Sequence, residues 1–260
     1  MNSQRQASIP LDSYMIPGGG FQYTGLSMDD VANMGLPMDQ SVGLGLLDES
    51  GSTRLFKAEL EACAKKVVQS LSRSPRKDNL FYRQCHFGTR FREFHGFMPV
   101  LELAKNLDQY DGCYQSGGET HLFDAADEAL QSLVDYCAKM AAKHYLCNAF
   151  YYEMTDGADY GSTLKIEAVR KRIALVRADE RIESLVAIKL GINDDPEVQR
   201  LLKEQADFCG FDQYLPVKDA SDATLDAVAF HVSQTFLSQS KHLGTGGPSQ
   251  PLPPPPSLTF

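Results

Sequence analysis

Three short segments carry the side chains that could do chemistry, and each lies where a predicted strand or helix meets a loop. The first, Asp48-Glu-Ser-Gly-Ser52, offers a carboxylate and two hydroxyls directly after an apolar run. The second, Gly-Gly-Glu-Thr at 117–120, precedes a predicted helix, and the third, Thr-Asp-Gly at 155–157, ends another apolar run. Oxygen ligands of this kind suit Mg²⁺ or Mn²⁺, which also keep bound waters. The side chains that would surround such a cation are Asp48, Ser50, Ser52, Thr120 and Asp156.

The segments between these motifs alternate between apolar runs and amphipathic stretches, as in repeated βα units. Apolar residues recur every three or four positions from Phe56 to Leu71, which predicts a helix over residues 54–71. Residues 80–87 and 91–97, joined by Gly88-Thr-Arg90, predict a hairpin. Further helices are expected over 122–143, 166–176, 196–208 and 225–236, and further strands over 147–154, 184–190 and 213–217.

This order of elements predicts an α/β fold: a doubly wound, mainly parallel sheet with one antiparallel edge strand and helices on both faces. Ligands in such sheets lie outside the carboxyl ends of the strands, so the three motifs are expected at one edge. We expect the folded domain over residues 41–243. Residues 1–40 are expected to form an irregular N-terminal arm that lies on the domain through Phe21 and Tyr23, and residues 244–260 a Gly/Pro-rich C-terminal tail.

Composition excludes several classes of function. The formal net charge is −9, with 25 Lys and Arg against 34 Asp and Glu, so nucleic-acid binding is not expected. No run is long and apolar enough for a membrane span, and the N-terminus does not resemble a secretory signal, so a cytoplasmic location is expected. The six cysteines form no CxxC pair and are expected to be buried thiols.

The three motifs together resemble the metal-ion-dependent adhesion site of von Willebrand factor A domains, and especially small stand-alone prokaryotic or viral members. The likeness extends over about 200 residues and includes the order, the spacing and the strand-end positions of the motifs. It implies a Rossmann-like sheet, Mg²⁺ or Mn²⁺ as the cofactor, and recognition of a protein partner through the metal. By this resemblance the five residues named above are the metal-site residues, and the partner often completes the coordination with an Asp or Glu.

Two residues depart from the family pattern. Glu49 lies inside the first motif, and Glu153 interrupts a strand that would otherwise be apolar. Glu153 is expected to face the surface at the strand end or, alternatively, to support a metal ligand. The motif residues also have an ordinary structural interpretation, because Ser50, Ser52 and Thr120 could cap helices. In the same way, the Asp-Gly pair at 156–157 could form a turn.

The favoured function is therefore a non-enzymatic, metal-dependent protein-interaction module. An adaptor for an ATPase or another assembly component is a hypothesis from family analogy alone. A Mg²⁺-dependent phosphatase or phosphotransferase with Asp48 as the nucleophile is the enzymatic alternative, although such enzymes need Asp at the position of Ser50. A structural subunit of a larger assembly, held by the arm and the tail, is the third possibility.

Overall fold

The computed structural model describes residues 10–16, 22–218 and 221–242. Its centre is an eight-stranded mixed sheet with the strand order β1-β2-β5-β4-β3-β6-β7-β8. The strands are β1 (Asp12–Met15), β2 (Gln22–Gly25), β3 (Asp39–Asp48), β4 (Leu80–Phe87), β5 (Phe91–Pro99), β6 (Leu146–Thr155), β7 (Leu185–Ile192) and β8 (Gln213–Val217). Five neighbouring strands run parallel to one another: β4, β3, β6, β7 and β8. Strand β5 is antiparallel to β4.

Helices cover both faces of this sheet. They are α1 (Met28–Asn33), α2 (Lys57–Ser72), α3 (Val100–Leu103), α4 (Leu122–Ala141), α5 (Ile166–Arg177), α6 (Pro196–Cys209) and α7 (Asp222–His242). Short 3₁₀ segments occur at Gly51–Phe56, Lys77–Asn79 and Ala104–Tyr110. None of the helices in the described ranges is long and apolar enough to cross a membrane.

Two apolar cores lie on opposite faces of the sheet, as alternation along the buried strands requires. Leu44 and Leu46 of β3 face the core formed with α1, α4 and α5, whereas Leu47 faces the core formed with α2 and α7. Two glycines of β3 make this second core possible. A Cβ at Gly43 would lie 2.6 Å from the ring of Phe236, and a Cβ at Gly45 would lie 2.4 Å from the Tyr82 hydroxyl. These glycines therefore admit aromatic rings against the central strand.

The predicted fold class is confirmed, because the sheet is mainly parallel, has an antiparallel edge and is flanked by helices on both faces. The predicted hairpin is also present as β4 and β5. The antiparallel part of the edge is larger than predicted, however, since the β1–β2 hairpin continues the sheet beyond β5. All six cysteines are buried free thiols, as expected.

The expectation of an irregular arm over residues 1–40 is wrong for the part that the structure describes. Residues 12–15, 22–25 and 28–33 form β1, β2 and α1, and Tyr23 is buried against Phe97 and Tyr136. Glu93 of β5 accepts hydrogen bonds from the backbone N–H (3.1 Å) and the hydroxyl (2.5 Å) of Thr24, so the hairpin is part of the domain. Phe21, residues 17–20 and the predicted tail at 244–260 lie outside the described residues.

Two ionisable side chains of the sheet, those of Glu153 and His95, are buried. Glu153 is 1% exposed and pairs with Lys189 at the adjacent position of β7, while the Tyr151 hydroxyl donates to it at 3.0 Å. The prediction of a surface-facing Glu153 is therefore wrong. His95 of β5 is also buried and hydrogen-bonds to the Tyr110 hydroxyl at 2.9 Å.

Candidate metal site

The first and third sequence motifs meet because their strands are parallel neighbours. Asp48 is the last residue of β3 and Thr155 the last residue of β6, and the register pairs Leu47 with Met154. The carboxyl ends of the two strands therefore reach the same edge of the sheet. After β3 the chain enters the 3₁₀ segment Gly51–Phe56, which carries Ser52, and after β6 it enters the loop that begins with Asp156.

A continuous series of hydrogen bonds joins four of the five predicted residues. The Ser50 backbone N–H donates to Asp48 Oδ1 at 2.8 Å, and the Ser50 and Ser52 hydroxyl oxygens are 3.1 Å apart. The Ser52 hydroxyl donates to Asp156 Oδ1 at 2.9 Å. The structure thus places two carboxylates and two hydroxyls within one small cluster at the end of the central strands.

Both carboxylates of this cluster are costly to ionise. Burial raises the pKa of Asp48 to about 6, and the nearby Asp156 carboxylate adds to the increase, although hydrogen bonds from Ser50 and Thr155 oppose it. Burial also raises the pKa of Asp156, with the Ser52 hydroxyl opposing this effect. A cation between the two carboxylates would reverse both shifts, because opposite charge favours the ionised forms.

Thr120 is on the neighbouring loop and does not join this cluster through a hydrogen bond with any of the other four described side chains. Its backbone instead pairs with Tyr160 in an antiparallel bridge, with N···O distances of 3.3 and 2.8 Å. The loop itself lies against the first motif, since the Gly51 N–H donates to the Gly118 carbonyl at 3.2 Å. The position of Thr120 is thus consistent with a role beside the cluster, and its participation as a ligand stays a prediction.

Thr155, the first residue of the third motif, contributes to the site although it is not among the five predicted site residues. Its hydroxyl donates to Asp48 Oδ2 at 2.7 Å and also contacts the carbonyl of Gly157 at 3.0 Å. The other Asp48 oxygen already accepts the Ser50 N–H, so both oxygens of this carboxylate are held in place. The signal was available in the sequence, because Thr155 directly precedes the predicted ligand Asp156.

Glu49, which departs from the family pattern, fixes the loop between the two predicted ligands at 48 and 50. Its carboxylate accepts hydrogen bonds from Arg92 Nη2 at 2.6 Å and from Arg92 Nε at 3.1 Å. His86 Nδ1 lies 3.0 Å away, and the Gln115 N–H donates at 3.0 Å. Burial alone would raise the pKa of Glu49, but the hydrogen bonds from His86 and Arg92 outweigh it and lower the pKa to about 2. Glu49 is therefore an ionised structural anchor.

Asp124 and Asp159 connect the loop after β6 to the start of α4 through hydrogen bonds to backbone N–H groups. Asp124 Oδ2 and Oδ1 accept the backbone N–H groups of Thr163 and Leu164 at 2.9 and 2.8 Å. In the opposite direction, Asp159 Oδ1 accepts the N–H of Phe123 at the start of α4 at 3.2 Å. These bonds fasten the loop after β6 to the start of α4, and so hold the Thr120–Tyr160 bridge in place.

The donor set fits a hard divalent cation in its chemistry. Within residues 10–16, 22–218 and 221–242 no group of three or more His, Cys, Asp or Glu side chains is arranged to hold a metal. Any cation at this edge would therefore be held by two carboxylates, by hydroxyls and by water, which is the environment that Mg²⁺ or Mn²⁺ accepts and that a thiolate-binding metal does not favour.

No protein-family model matches this chain, and no curated protein is similar to it in sequence. Its fold is similar to several solved structures. A variant of the minor pilin PilB from Streptococcus sanguinis has a TM-score of 0.56 at 11% identity, with 80% of this chain and 64% of the pilin covered. Proximal thread matrix protein 1 from the mussel byssus, with a zinc-occupied MIDAS motif, has a TM-score of 0.55 at 15% identity, with 76% and 48% covered.

The pilus adhesin SpaC from Lactobacillus rhamnosus GG, in its open conformation, gives a TM-score of 0.53 at 10% identity, with 76% of this chain and 30% of the adhesin covered. The chain thus spans less than two thirds of each of these solved chains. At such identities the likeness establishes the fold alone. Together with the sheet topology, it confirms the Rossmann-like α/β fold predicted from the sequence.

Proposed function

We propose that this chain is a non-enzymatic, metal-dependent protein-interaction module that binds Mg²⁺ or Mn²⁺ through Asp48, Ser50, Ser52, Asp156 and Thr120. One observation carries the proposal. Four carboxylates are buried among the described residues, and two of them have basic partners: Glu49 pairs with Arg92, and Glu153 pairs with Lys189. Asp48 and Asp156 have no ion-pair partner among the described residues and lie together. Ionised buried carboxylates are paired or coordinate metals, so this unpaired couple is the place in the described fold where a bound cation would be stabilised most.

The arrangement also leaves room for a partner. Asp48 is 2% exposed, whereas Ser52 and the neighbouring Gly51 and Gly117 are exposed. A cation held from below by Asp48 would face solvent on the side of Ser52, where an Asp or Glu of a partner protein completes its coordination. The zinc-occupied MIDAS motif of the byssus protein supports the use of a divalent metal in this fold. The choice of Mg²⁺ or Mn²⁺ rests on the oxygen-only donors.

The geometry favours this function over the enzymatic alternative. A nucleophilic Asp48 would need a free carboxylate oxygen facing the substrate. The Asp48 side chain is almost fully buried, so a substrate has less access to it than a small cation has. A role as a structural subunit is compatible with the same site. The docking of an ATPase or another assembly component, and an intracellular location, stay predictions from the sequence; six buried thiols agree with a reducing compartment.

The test is titration calorimetry with Mn²⁺ on the full chain and on Asp48→Ala and Asp156→Ala. We expect both variants to lose binding by at least about a hundredfold, because each removes a charged ligand and even outer-shell partners are worth 10–100-fold. Both should stay folded, since a buried carboxylate with a raised pKa is removed from each. The matched control is Asp78→Ala, an exposed aspartate in the 3₁₀ segment before β4. Unchanged Mn²⁺ affinity in both site variants would refute the proposal.

A further inference from the structure

The two most exposed large apolar side chains of the described residues both belong to loops of the candidate metal site. Leu55 is 92% exposed and Tyr160 is 71% exposed, whereas the next, Phe230 on α7, is 62% exposed. An isolated exposed apolar side chain is ordinary and needs no explanation. Leu55 and Tyr160, by contrast, lie on two segments that carry predicted residues of the same site.

Leu55 is a neighbour of the metal-site hydroxyl of Ser52. Both residues belong to the 3₁₀ segment Gly51–Phe56, where they are three positions apart. Side chains at i and i+3 eclipse in a 3₁₀ helix, and the rise is about 2.0 Å per residue, so Leu55 lies on the same side as Ser52 and about 6 Å further along. The Ser52 hydroxyl points to Asp156. Leu55 therefore projects from the rim of the cluster.

Tyr160 has the same relation to Thr120. The two residues exchange both backbone hydrogen bonds and are directly opposite each other in the antiparallel bridge. Directly opposed residues place their side chains on the same face, with Cβ atoms about 4.5–5.5 Å apart. The Tyr160 side chain therefore leaves the bridge on the same face as the Thr120 side chain. We use the name apolar rim for Leu55 and Tyr160.

We infer that the apolar rim selects the partner: the site binds a protein segment in which a single Asp or Glu is flanked by apolar side chains. This inference rests on the proposed function and adds the sequence preference of the ligand. Charge complementarity supports an acidic ligand, since Arg54, next to Leu55, is exposed and has no ion-pair partner among the described residues. A cation alone selects a carboxylate but not the residues that flank it. Apolar flanking residues of the partner would pack against Leu55 and Tyr160, and the apolar area buried there would supply further affinity.

The probe is a displayed library of nine-residue peptides with a fixed central Asp and randomised flanks, selected on the full chain in Mn²⁺. We expect apolar residues to be enriched at flanking positions. The affinity of one enriched peptide is then measured by fluorescence polarisation for wild type, Leu55→Ser and Tyr160→Ser. Each truncation should weaken binding about tenfold, as for a central interface contact. Mn²⁺ affinity should remain unchanged in both variants.

Two controls make the result specific. Leu175→Ser removes a 51% exposed leucine on α5 and should leave peptide binding unchanged, and Tyr160→Phe should retain binding because it keeps the ring. Selection without apolar enrichment, no enriched peptide at all, or full affinity in both rim variants would overturn the inference. Metal-dependent binding without flank preference would leave the proposed function intact. Equal binding in EDTA and by Asp156→Ala would refute the proposed function as well.

Discussion

Glu49→Gln tests whether the first motif is held in shape by an ion-pair network that is special to this chain. The substitution keeps the size of the side chain but removes its charge. It also replaces one carboxylate oxygen by an amide nitrogen, which cannot accept a hydrogen bond from Arg92 or His86. Every one of the five predicted site residues stays in place, so the variant separates positioning from ligation.

The expected loss of stability follows from the burial of the partners. The Glu49 side chain is 8% exposed, His86 is fully buried and the Arg92 side chain is 26% exposed. Removing one partner of a buried pair costs about 3–5 kcal/mol. Arg92 keeps a hydrogen bond to the Cys113 carbonyl at 2.9 Å and some contact with water, so we expect the free energy of unfolding to fall by about 2–3 kcal/mol. In a chain of this size that lowers Tm by roughly 4–12 °C.

The assay is urea unfolding at pH 7, combined with Mn²⁺ titration of the folded variant. We expect Mn²⁺ affinity to fall by about tenfold, because the backbone between Asp48 and Ser50 is no longer fixed, as for other outer-shell changes. The matched control is Glu180→Gln, since Glu180 is exposed and lies just after α5. If Glu49→Gln unfolds at the same urea concentration as Glu180→Gln and binds Mn²⁺ like wild type, the network does not position the site.

Two further predictions concern charges inside the fold. Lys189→Met should lower the free energy of unfolding by about 3–5 kcal/mol, because it leaves Glu153 buried without its cationic partner. In urea unfolding, the double variant with Glu153→Leu should recover most of this loss. A double variant no more stable than Lys189→Met would contradict this prediction. Burial, aided by nearby Asp124, raises the pKa of Glu128 from 4.5 to about 7. Because the pKa of Glu128 is higher in the folded state, its contribution to the free energy of unfolding is fully present below pH 4.5 and is lost as the pH rises through 7. Glu128→Gln should therefore match the stability of wild type at pH 4.5 and exceed it by about 1–2 kcal/mol at pH 8, a value reduced for the partial exposure of the side chain. An equal stability difference at both pH values would refute the second prediction.

The elements that could be predicted from the sequence are those whose burial follows a local period. The helices at 57–72 and 122–141 have apolar residues every three or four positions, and β6 and β7 are apolar runs of strand length. Two of the three motifs come together because strand-end positions in a parallel sheet converge on one edge. That argument needs only the order of the strands, which the alternation of elements supplies.

The N-terminal hairpin could not be predicted because its stability is not local. Its strands have four residues each, too few for a period to be recognised. They are held by the Tyr23 ring against Phe97 and Tyr136 and by the bonds from Thr24 to Glu93, which are between about 70 and 110 residues away in sequence. Such contacts exist only once β5 and α4 have found their places in the fold.

Glu49 and Glu153, the two residues that depart from the family pattern, do not add to the unpaired negative charge of the candidate site. In the sequence, Glu49 and Glu153 were additional acids of unknown orientation next to the predicted ligands. In the structure each is neutralised by a base on another strand: Glu49 by Arg92 on β5, which lies beyond β4, and Glu153 by Lys189 on the adjacent strand β7. The order of the strands in the sheet cannot be read from a single residue, and so these pairings were not foreseen. Once they are formed, Asp48 and Asp156 are the two buried carboxylates of the described residues that have no basic partner, and the divalent ion that we propose would balance their charge.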